Sequence, residues 1–315
     1  MAKRAPRVTI VLAVHDGEAY LRAQLDSLAA QTWPYWNLIA GDDQSRDTSR
    51  AILTAFAQQM QASNREIRIL DGPGRGGALH FLTLLSQVPA QSDRVAFCDQ
   101  DDVWMADKLA RAHAALETVS ESQPCLYCSR TWVTGPNLET PRLSPLWPRT
   151  FGFRNALVQN IASGNTIVLN RAAIGLAQRA AQGALEGSEL PAHDWWLYQV
   201  ITGAGGHIIH DARPTLYYRQ HARNQIGANR GLLAGYARAK AIWRGGYQRW
   251  NSANIAALQR AGTLTAENAA YLDAFARLRQ QPMLSRMRAL STLGLYRQTP
   301  ATQAALWIAT ALGRL

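Results

Sequence analysis

The first hundred residues alternate short apolar strands with amphipathic helices, and this alternation constrains the fold of the 315-residue chain more than any other feature. The pattern predicts four strands and three intervening helices, at 8–14, 37–40, 67–70 and 94–98 for the strands and 18–31, 47–60 and 78–87 for the helices. Val8–Val14 is continuously apolar, as is typical of strands buried on both faces. The spacing predicts an α/β fold with a mostly parallel sheet and right-handed crossovers.

Polar clusters follow the predicted strands. They are His15-Asp16-Gly17, Asp42-Asp43, Arg75 within the glycine-rich turn 72–77, and Asp99-Gln-Asp-Asp102. Ligands of open parallel sheets bind at the carboxyl ends of the strands. We therefore expect these four clusters to meet at one edge and to form a ligand site there.

The cluster Asp99–Asp102 places three carboxylates within four residues directly after a strand. Their mutual repulsion favours a hard divalent cation, Mg²⁺ or Mn²⁺, which takes oxygen ligands and completes its shell with substrate phosphates. The alternative is that Asp101 or Asp102 caps the following helix. Similarly, Asp42 and Asp43 suit a nucleoside base or ribose, or else an Asx turn before Ser45.

Three other positions carry chemistry. Arg75 lies among glycines that let a ligand approach the backbone, so it is expected to contact a base or phosphate, or else to be a solvated loop residue. Asp194 precedes Trp195 and Trp196 and is the candidate general base. The two indoles would desolvate it and stack on acceptor sugars; the alternative is a helix cap followed by core tryptophans. His221 is a candidate metal ligand.

Taken in order, these residues resemble the family 2 glycosyltransferases of the GT-A fold over about residues 7–225. The segments that carry the resemblance are 11–18, 25–28, 31–32, 41–43, 97–104, 193–196 and 218–221. The segments Cys98–Trp104, His193–Trp196 and Tyr218–His221 together look most like the bacterial rhamnosyltransferase branch.

The resemblance implies an inverting transfer that depends on Mg²⁺ or Mn²⁺. It implies that Asp101 and His221 bind the metal, that Asp99 binds the metal or the ribose, and that Asp194 is the base. Residues expected to line the nucleotide pocket are Ala13, His15, Glu18, Asp42 and Asp43. The implied donor is a nucleotide-diphosphate sugar such as dTDP-L-rhamnose, and the implied acceptor is a growing surface polysaccharide, which can be lipid-linked.

Two departures from the family pattern fall on the nucleotide side. The family usually has Tyr-Asn where this chain has His15-Asp16, and it often has Arg-Asn near the position of Leu79-His80. Donor identity is therefore the least constrained part of the prediction.

Charge divides the chain unequally. Residues 219–315 contain 14 Lys and Arg against only Glu267 and Asp273, whereas residues 1–218 are nearly neutral. We predict a GT-A domain at 1–225 and a basic α-helical extension at 226–315. Aromatic and basic residues at 231–250 and 301–315 suit contact with an anionic membrane; the alternative is a helical cap packed on the domain. Nothing in the sequence matches a nucleic-acid-binding module, so we expect no nucleic-acid partner.

The three cysteines do not form a disulfide framework, and no apolar run is long enough for a membrane span or a secretory signal. We therefore expect a cytoplasmic protein, peripheral at the inner face of the plasma membrane if the extension binds lipid. Cys125 and Cys128 should face opposite sides of a strand.

Two other functions are open to such a chain. A nucleotidyltransferase would need a basic glycine-rich loop after the first strand, where this chain has His15-Asp16-Gly17 and no lysine. A non-catalytic membrane-surface protein with a decayed transferase site would bind the donor without transferring the sugar.

Overall fold

The computed structural model describes residues 5–63, 65–187, 190–221 and 246–315. Their strands are β1 (Val8–Val14), β2 (Trp36–Asp42), β3 (Ile67–Asp71), β4 (Arg94–Asp99), β5 (Val103–Trp104), β6 (Cys125–Thr134), β7 (Arg142–Leu143), β8 (Val168–Asn170) and β9 (His207–Arg219). Their α-helices are α1 (Leu21–Ala29), α2 (Ser49–Gln59), α3 (Gly77–Ser86), α4 (Lys108–Leu116), α5 (Phe153–Ala156), α6 (Arg171–Leu185), α7 (His193–Gly203), α8 (Gly246–Ala261), α9 (Ala266–Leu278), α10 (Met283–Leu293) and α11 (Pro300–Ala311).

The strands form one sheet in the order β3-β2-β1-β4-β8-β6-β9-β5, with β7 beside β6. The first four strands are mutually parallel, and helices α1, α2 and α3 follow β1, β2 and β3. The predicted α/β alternation is therefore confirmed. Strands β2, β3 and β4 extend by one or two residues beyond the predicted ends, so that Asp42, Asp71 and Asp99 are their last residues.

The other half of the sheet is mixed. Strand β8 runs antiparallel to β4 and β6, whereas β6 and the 13-residue β9 are parallel. The short strand β5 pairs with β9, with Val103 opposite Tyr217. This pairing folds the segment after β4 against the end of β9, so Asp101 and Asp102 lie beside Arg219.

Two hydrophobic clusters cover the two faces of the sheet. Ile10 and Leu12 belong to one cluster and Val11 to the other, as expected for alternate residues of a strand. Cys125 and Cys128 also divide between the two clusters, and both are buried and free. They are core residues on opposite faces, which agrees with the prediction.

The helices α8–α11 pack on the cluster that also contains α3, α6 and α7, and they contribute Leu258, Phe275 and Leu306 to it. They therefore share a core with the sheet domain. The predicted boundary at 225/226 and most of the segment 231–250 lie outside the described residues. None of the helices within the described ranges combines the length and the hydropathy that a bilayer crossing requires.

Candidate active site

The register of the parallel strands brings the predicted polar clusters to one edge. Ala13 lies between Gly41 of β2 and Asp99 of β4, and Val14 pairs with Asp42. Beyond the strand end, the backbone N–H of Asp43 donates to the carbonyl oxygen of Val14 at 2.7 Å. The clusters at 15–17, 42–43 and 99–102 are thus neighbours, as parallel strands that end at one level require.

Gln100 ties the loop after β1 to the loop after β4. Its Oε1 accepts from the N–H of His15 at 2.7 Å, and its Nε2 donates to the His15 carbonyl at 2.9 Å. A Cβ at Gly17 would lie 2.5 Å from the Gln100 side chain, so this loop needs glycine there. Nothing in the sequence distinguished Gln100 from its acidic neighbours, and its role was not predicted.

Asp43 organises the nucleotide side of the edge. Its Oδ1 accepts from the N–H of Gly74 at 2.5 Å, and its carbonyl oxygen lies 2.8 Å from Nδ1 of His15. Gly72 packs directly on the Asp43 backbone, since a Cβ there would lie 2.7 Å from the Asp43 Cα. Glycine at position 72 therefore allows the turn 72–77 to pack against the Asp43 backbone.

Two residues predicted to line the nucleotide pocket hold loops instead. Oδ1 of Asp42 accepts from the N–H of Ser45 at 3.2 Å, so the turn that was the structural alternative for this residue is present. Oε2 of the exposed Glu18 accepts from the N–H and the hydroxyl of Thr48 at 3.2 and 3.0 Å. The Glu18 carboxylate is thus committed to the start of α2, and its predicted contact with the nucleotide is not supported.

The guanidinium of Arg75 lies at the end of α6. Its Nη1 and Nη2 donate to the carbonyl oxygens of Leu185 and Gly187 at 3.1 and 2.6 Å. A guanidinium bound to the last carbonyls of α6 is favoured by the helix dipole. The contacts that the structure shows for Arg75 are at the end of α6, and its predicted contact with a base or phosphate of the donor stays a prediction.

The acidic cluster after β4 brings Asp99, Asp101 and His221 near one another. Nε2 of His221 lies 2.8 Å from Oδ2 of Asp101, and the imidazole stacks on Tyr20 with ring centroids 4.9 Å apart. Burial, then the neighbouring carboxylates of Asp101 and Asp194, raise the pKa of Asp99 to about 8. The site thus concentrates more negative charge than its own cations neutralise.

That excess of negative charge is what a divalent cation relieves. Carboxylate oxygens and an imidazole are suitable ligands for Mn²⁺, and two carboxylates with substrate phosphates suit Mg²⁺. In the described parts of the chain, no three or more His, Cys, Asp or Glu side chains have the arrangement of a complete metal site. The ligand set Asp99, Asp101 and His221 therefore stays a prediction, and two of these side chains with substrate phosphates are the smaller set that would suit Mg²⁺.

Asp102, the third carboxylate of the cluster, is structural. It is fully buried, its Oδ2 accepts from Nδ2 of Asn165 at 2.5 Å, and its Oδ1 accepts from the N–H of Arg219 at 3.2 Å. The buried Lys108 donates to the carbonyl oxygen of Asn165 at 3.0 Å, and burial lowers its pKa to about 7. This network holds the buried end of the acidic cluster, and no sequence pattern indicates its partners.

Asp194 lies at the start of α7 and near the same cluster, because it binds Gly164 while the next residue, Asn165, donates to Asp102. Its Oδ1 and Oδ2 accept from the N–H groups of Trp195 and Gly164 at 2.7 and 3.2 Å. The carboxyl group is surrounded by protein although the residue keeps some accessible surface, and burial raises its pKa to about 6. An oriented carboxylate with a raised pKa is a better proton acceptor at neutral pH than a solvated one.

The prediction that Trp195 and Trp196 bind the acceptor is wrong. Trp196 is fully buried, and Trp195 is only 6% exposed, donates from Nε1 to the carbonyl oxygen of Ala156 at 2.7 Å and stacks on Tyr247. Neither indole has a face free for a sugar. Both positions lie in the first turn of α7, and the alternative prediction that they are core tryptophans is confirmed.

Comparison with known proteins agrees with this geometry. The sequence profile described as Glycosyl transferase family 2 matches residues 9–172. The chain is 27% identical over 232 residues to the dTDP-rhamnosyl transferase RfbG of Shigella flexneri, which covers 72% of this chain and 77% of RfbG. It is also 27% identical over 183 residues to the putative teichuronic acid biosynthesis glycosyltransferase TuaG of Bacillus subtilis, covering 56% and 68% of the two chains.

Two solved structures resemble the fold. TarS of S. aureus in complex with UDP-GlcNAc superposes with a TM-score of 0.53 at 16% identity, over 98% of this chain and 89% of that one. The mannosyltransferase PcManGT of Pyrobaculum calidifontis, in complex with GDP-Man and Mn²⁺, gives 0.50 at 19% identity, over 99% and 88%. At these identities the likeness concerns the fold, which is the GT-A arrangement with helices after it.

Proposed function

The chain belongs to glycosyl transferase family 2, and we propose that it performs an inverting, metal-dependent transfer of a sugar from a nucleoside diphosphate to a hydroxyl group. The observation that carries this proposal is the position of Asp194. Its carboxylate accepts from Gly164 while Asn165 donates to Asp102, so the proposed base lies beside the acidic cluster at the end of β4, where the proposal puts the diphosphate.

Asp194 acts as the general base. Its two hydrogen bonds from backbone N–H groups orient the carboxylate, and above about pH 6 it is ionised. It accepts the proton of the acceptor hydroxyl as that oxygen attacks the anomeric carbon, while the bond to the diphosphate breaks on the opposite side of the sugar. Attack opposite to the leaving group inverts the anomeric configuration.

Asp99, Asp101 and His221 would hold Mg²⁺ or Mn²⁺, which supplies positive charge to the departing diphosphate. The hydrogen bond between His221 and Asp101 and the stacking of His221 on Tyr20 keep these side chains in place. Asp43 and His15, which face each other across the ends of β1 and β2, bind the nucleoside.

We propose L-rhamnose as the donor sugar, with dTDP as its carrier. Support comes from the similarity to RfbG, which is named a dTDP-rhamnosyl transferase, over nearly three quarters of this chain. The relation to TuaG, named for teichuronic acid biosynthesis, supports a bacterial surface polysaccharide as the class of acceptor.

We further propose that α10 and α11 contact an anionic membrane that carries a lipid-linked acceptor. Met283, Leu284, Ile308 and Leu312 are all more than half exposed. The start of α10 and the end of α11 are adjacent, since Nη2 of Arg286 donates to the carbonyl oxygen of Ala311. An exposed apolar surface beside arginines suits a phospholipid interface.

A donor screen tests the transferase proposal. The purified chain is incubated with dTDP-L-rhamnose, UDP-glucose, UDP-N-acetylglucosamine and GDP-mannose, each with Mg²⁺, with Mn²⁺ or with a chelator, and the release of nucleoside diphosphate is measured. We expect hydrolysis of one donor above the others, lost with the chelator. Absence of metal-dependent hydrolysis with every donor would refute the proposal, and preference for another sugar would refute only the choice of rhamnose.

Sedimentation with phosphatidylglycerol vesicles tests the membrane proposal. The double substitution Leu284→Ser with Ile308→Ser should lower the bound fraction several-fold, whereas Tyr35→Ser, at an exposed aromatic of the sheet domain, should not. Equal binding of all three proteins would refute a role for this surface.

A further inference from the structure

A cleft of about 330 Å³ opens between α3 and α8 and shares Arg75 with the glycine-rich turn. The start of α3, the residues before α7 and the first helix of the C-terminal group form its walls. The lining residues are Arg75, Gly76, Gly77, Ala78, Leu79, Leu190, Pro191, Arg249, Trp250 and Ala253.

Both ends of the cleft connect to the active site through the chain. Gly74, one residue before the lining begins, donates from its N–H to Asp43 on the nucleotide side. Pro191 is three residues before Asp194, and three residues span at most about 11 Å. The cleft wall at Pro191 therefore lies at most about 11 Å along the backbone from the candidate base, and the wall at Arg75 adjoins the turn that binds Asp43.

The described lining contains two arginines and no acidic side chain. The guanidinium of Arg75 is held by the carbonyl oxygens of Leu185 and Gly187, which fixes its charge at the rim. Arg249 is exposed on α8 and, within the described residues, makes no hydrogen bond or ion pair. Helix α3 opens at Gly76, and its first turn has no acidic residue to use its free N–H groups. All three features favour a negatively charged group.

Trp250 gives the cleft an aromatic wall. Its side chain is 43% exposed, in contrast to the buried Trp195 and Trp196. Leu79, Leu190 and Ala253 add apolar surface around it. An accessible indole next to polar groups can pack against the C–H face of a sugar ring. The sequence predicts this role for Trp195 and Trp196, which are buried.

We propose that this cleft binds the acceptor, and that the acceptor is a saccharide carrying a negatively charged group, either a uronic acid carboxylate or a phosphate. Trp250 packs on the sugar ring, and Arg249 and Arg75 bind the anionic group. The inference rests on the proposed transferase function and specifies its second substrate.

Two matched pairs of probes test the charge requirement by calorimetry, independently of turnover. The first pair is cellobiouronic acid against cellobiose, and the second is glucose 1-phosphate against methyl glucoside. We expect the anionic member of at least one pair to bind about tenfold more tightly than its neutral partner, which corresponds to one charge-assisted contact. The pair that responds identifies the anion as carboxylate or phosphate, and equal affinities in both pairs overturn the proposal.

Substitutions locate the contact. Arg249→Gln should abolish the preference for the anionic probe and leave the neutral one unaffected, whereas Trp250→Ala should weaken both members of a pair by about tenfold. Arg288→Gln, at another exposed arginine of the C-terminal helices, is the control and should change neither. An anionic preference that survives Arg249→Gln overturns the assignment of the cleft.

Hydrolysis of the donor in the absence of an acceptor distinguishes failure of the transferase proposal from failure of the acceptor-site proposal. Both proposals stand if the two variants hydrolyse the donor in a metal-dependent way while Arg249→Gln loses the anionic preference and Trp250→Ala binds both probes more weakly. If hydrolysis persists in the unsubstituted chain and the probes show no preference, only the acceptor site fails. Tighter or weaker donor binding in Arg249→Gln would assign the cleft to the donor diphosphate and overturn it as an acceptor site.

Discussion

Side-chain hydrogen bonds differ between two regions of the molecule. One region is the parallel half of the sheet, β1–β4 with their helices, and the other is the C-terminal helices α8–α11. In the parallel half, carboxylates of Asp43 and Glu18 accept from backbone N–H groups of neighbouring loops. In the C-terminal helices, Arg279 and Arg286 donate to the carbonyl oxygens of Leu315 and Ala311 at 2.9 and 3.0 Å. The first arrangement builds a ligand-binding edge, and the second closes the last helix.

This difference changes the meaning of the positive charge. From the sequence alone, the basic residues 219–315 are expected to bind a polyanion. Part of that charge is used within the fold, because arginines at a helix C-terminus satisfy carbonyl groups and complement the dipole. Of the arginines described in this region, Arg249 and Arg288 are among those exposed to solvent, and only Arg249 lines a cleft.

The largest effect should come from the parallel side, at the edge that Asp194 faces. Asp194→Asn keeps the shape of the side chain but removes the proton acceptor, so transfer should fall by about 10²–10⁴-fold. Binding of the nucleoside diphosphate, measured by calorimetry, should stay within about twofold, because the proposed partner of Asp194 is the acceptor hydroxyl. Loss of nucleotide binding together with transfer would contradict the assignment of Asp194 as base.

A pair of glycine substitutions compares the two regions directly. Gly72→Ala places a Cβ 2.7 Å from the Asp43 Cα, and backbone cannot move aside as a flexible side chain can. We expect about 1–3 kcal/mol of destabilisation and weaker nucleotide binding. Gly262→Ala in the C-terminal helices meets no neighbour within 4 Å, and only its φ of +60° is unfavourable.

Gly262→Ala should lower the free energy of unfolding by about 1 kcal/mol and leave nucleotide affinity unchanged. Urea denaturation and nucleotide titration of both variants make the comparison. If Gly262→Ala weakens nucleotide binding as much as Gly72→Ala does, the site is not built by the parallel half alone.

Acid should destabilise the parallel half where α7 packs on α3 and β4. His193 packs between Phe81 and Phe97, with ring centroids at 4.0 and 5.6 Å, and burial lowers its pKa to about 3. The unfolded chain then binds a proton that the folded chain does not, so this contribution is full above about pH 6.5 and is lost as the pH falls toward 3. The free energy of unfolding should fall by at most about 1.4 kcal/mol per pH unit in that window.

His193→Leu removes the titrating group and keeps an apolar side chain between the two phenylalanines. Its unfolding free energy should decline less steeply between pH 6.5 and 4 than that of the unsubstituted chain, as followed by urea denaturation at each pH. Parallel curves for the two proteins would exclude His193 as the source of acid sensitivity.

The smallest effects should come from the arginines of the C-terminal helices. Arg286→Gln loses the hydrogen bond to the Ala311 carbonyl and should cost about 1 kcal/mol. Arg288→Gln, at an exposed position, should change stability by less than about 0.5 kcal/mol. Thermal unfolding of the two variants distinguishes a structural from a solvated arginine, and equal values would remove the distinction.

Local patterns were sufficient wherever neighbouring residues decide the outcome. Apolar runs and helical periodicity located β1–β4 and α1–α3 within a few residues, because hydrophobic period reports which face of an element is buried. Because parallel strands end at one level, the sequence also predicted that Asp43, Asp99 and Asp101 lie at one edge of the sheet. The position of Asp194 near this edge came from the family resemblance, not from periodicity.

Tertiary structure decided what depends on distant partners. Gln100, Asp102 and Lys108 acquired their roles from contacts with His15, Asn165 and Arg219, which lie up to 117 residues away along the chain. The same holds for the tryptophans: a helix that packs on several sides buries Trp196, whereas an open cleft exposes Trp250. Sequence determined the alternation that makes the sheet, because burial pattern is local; only the folded chain determined which side chains face the ligand, because accessibility depends on every element packed around them.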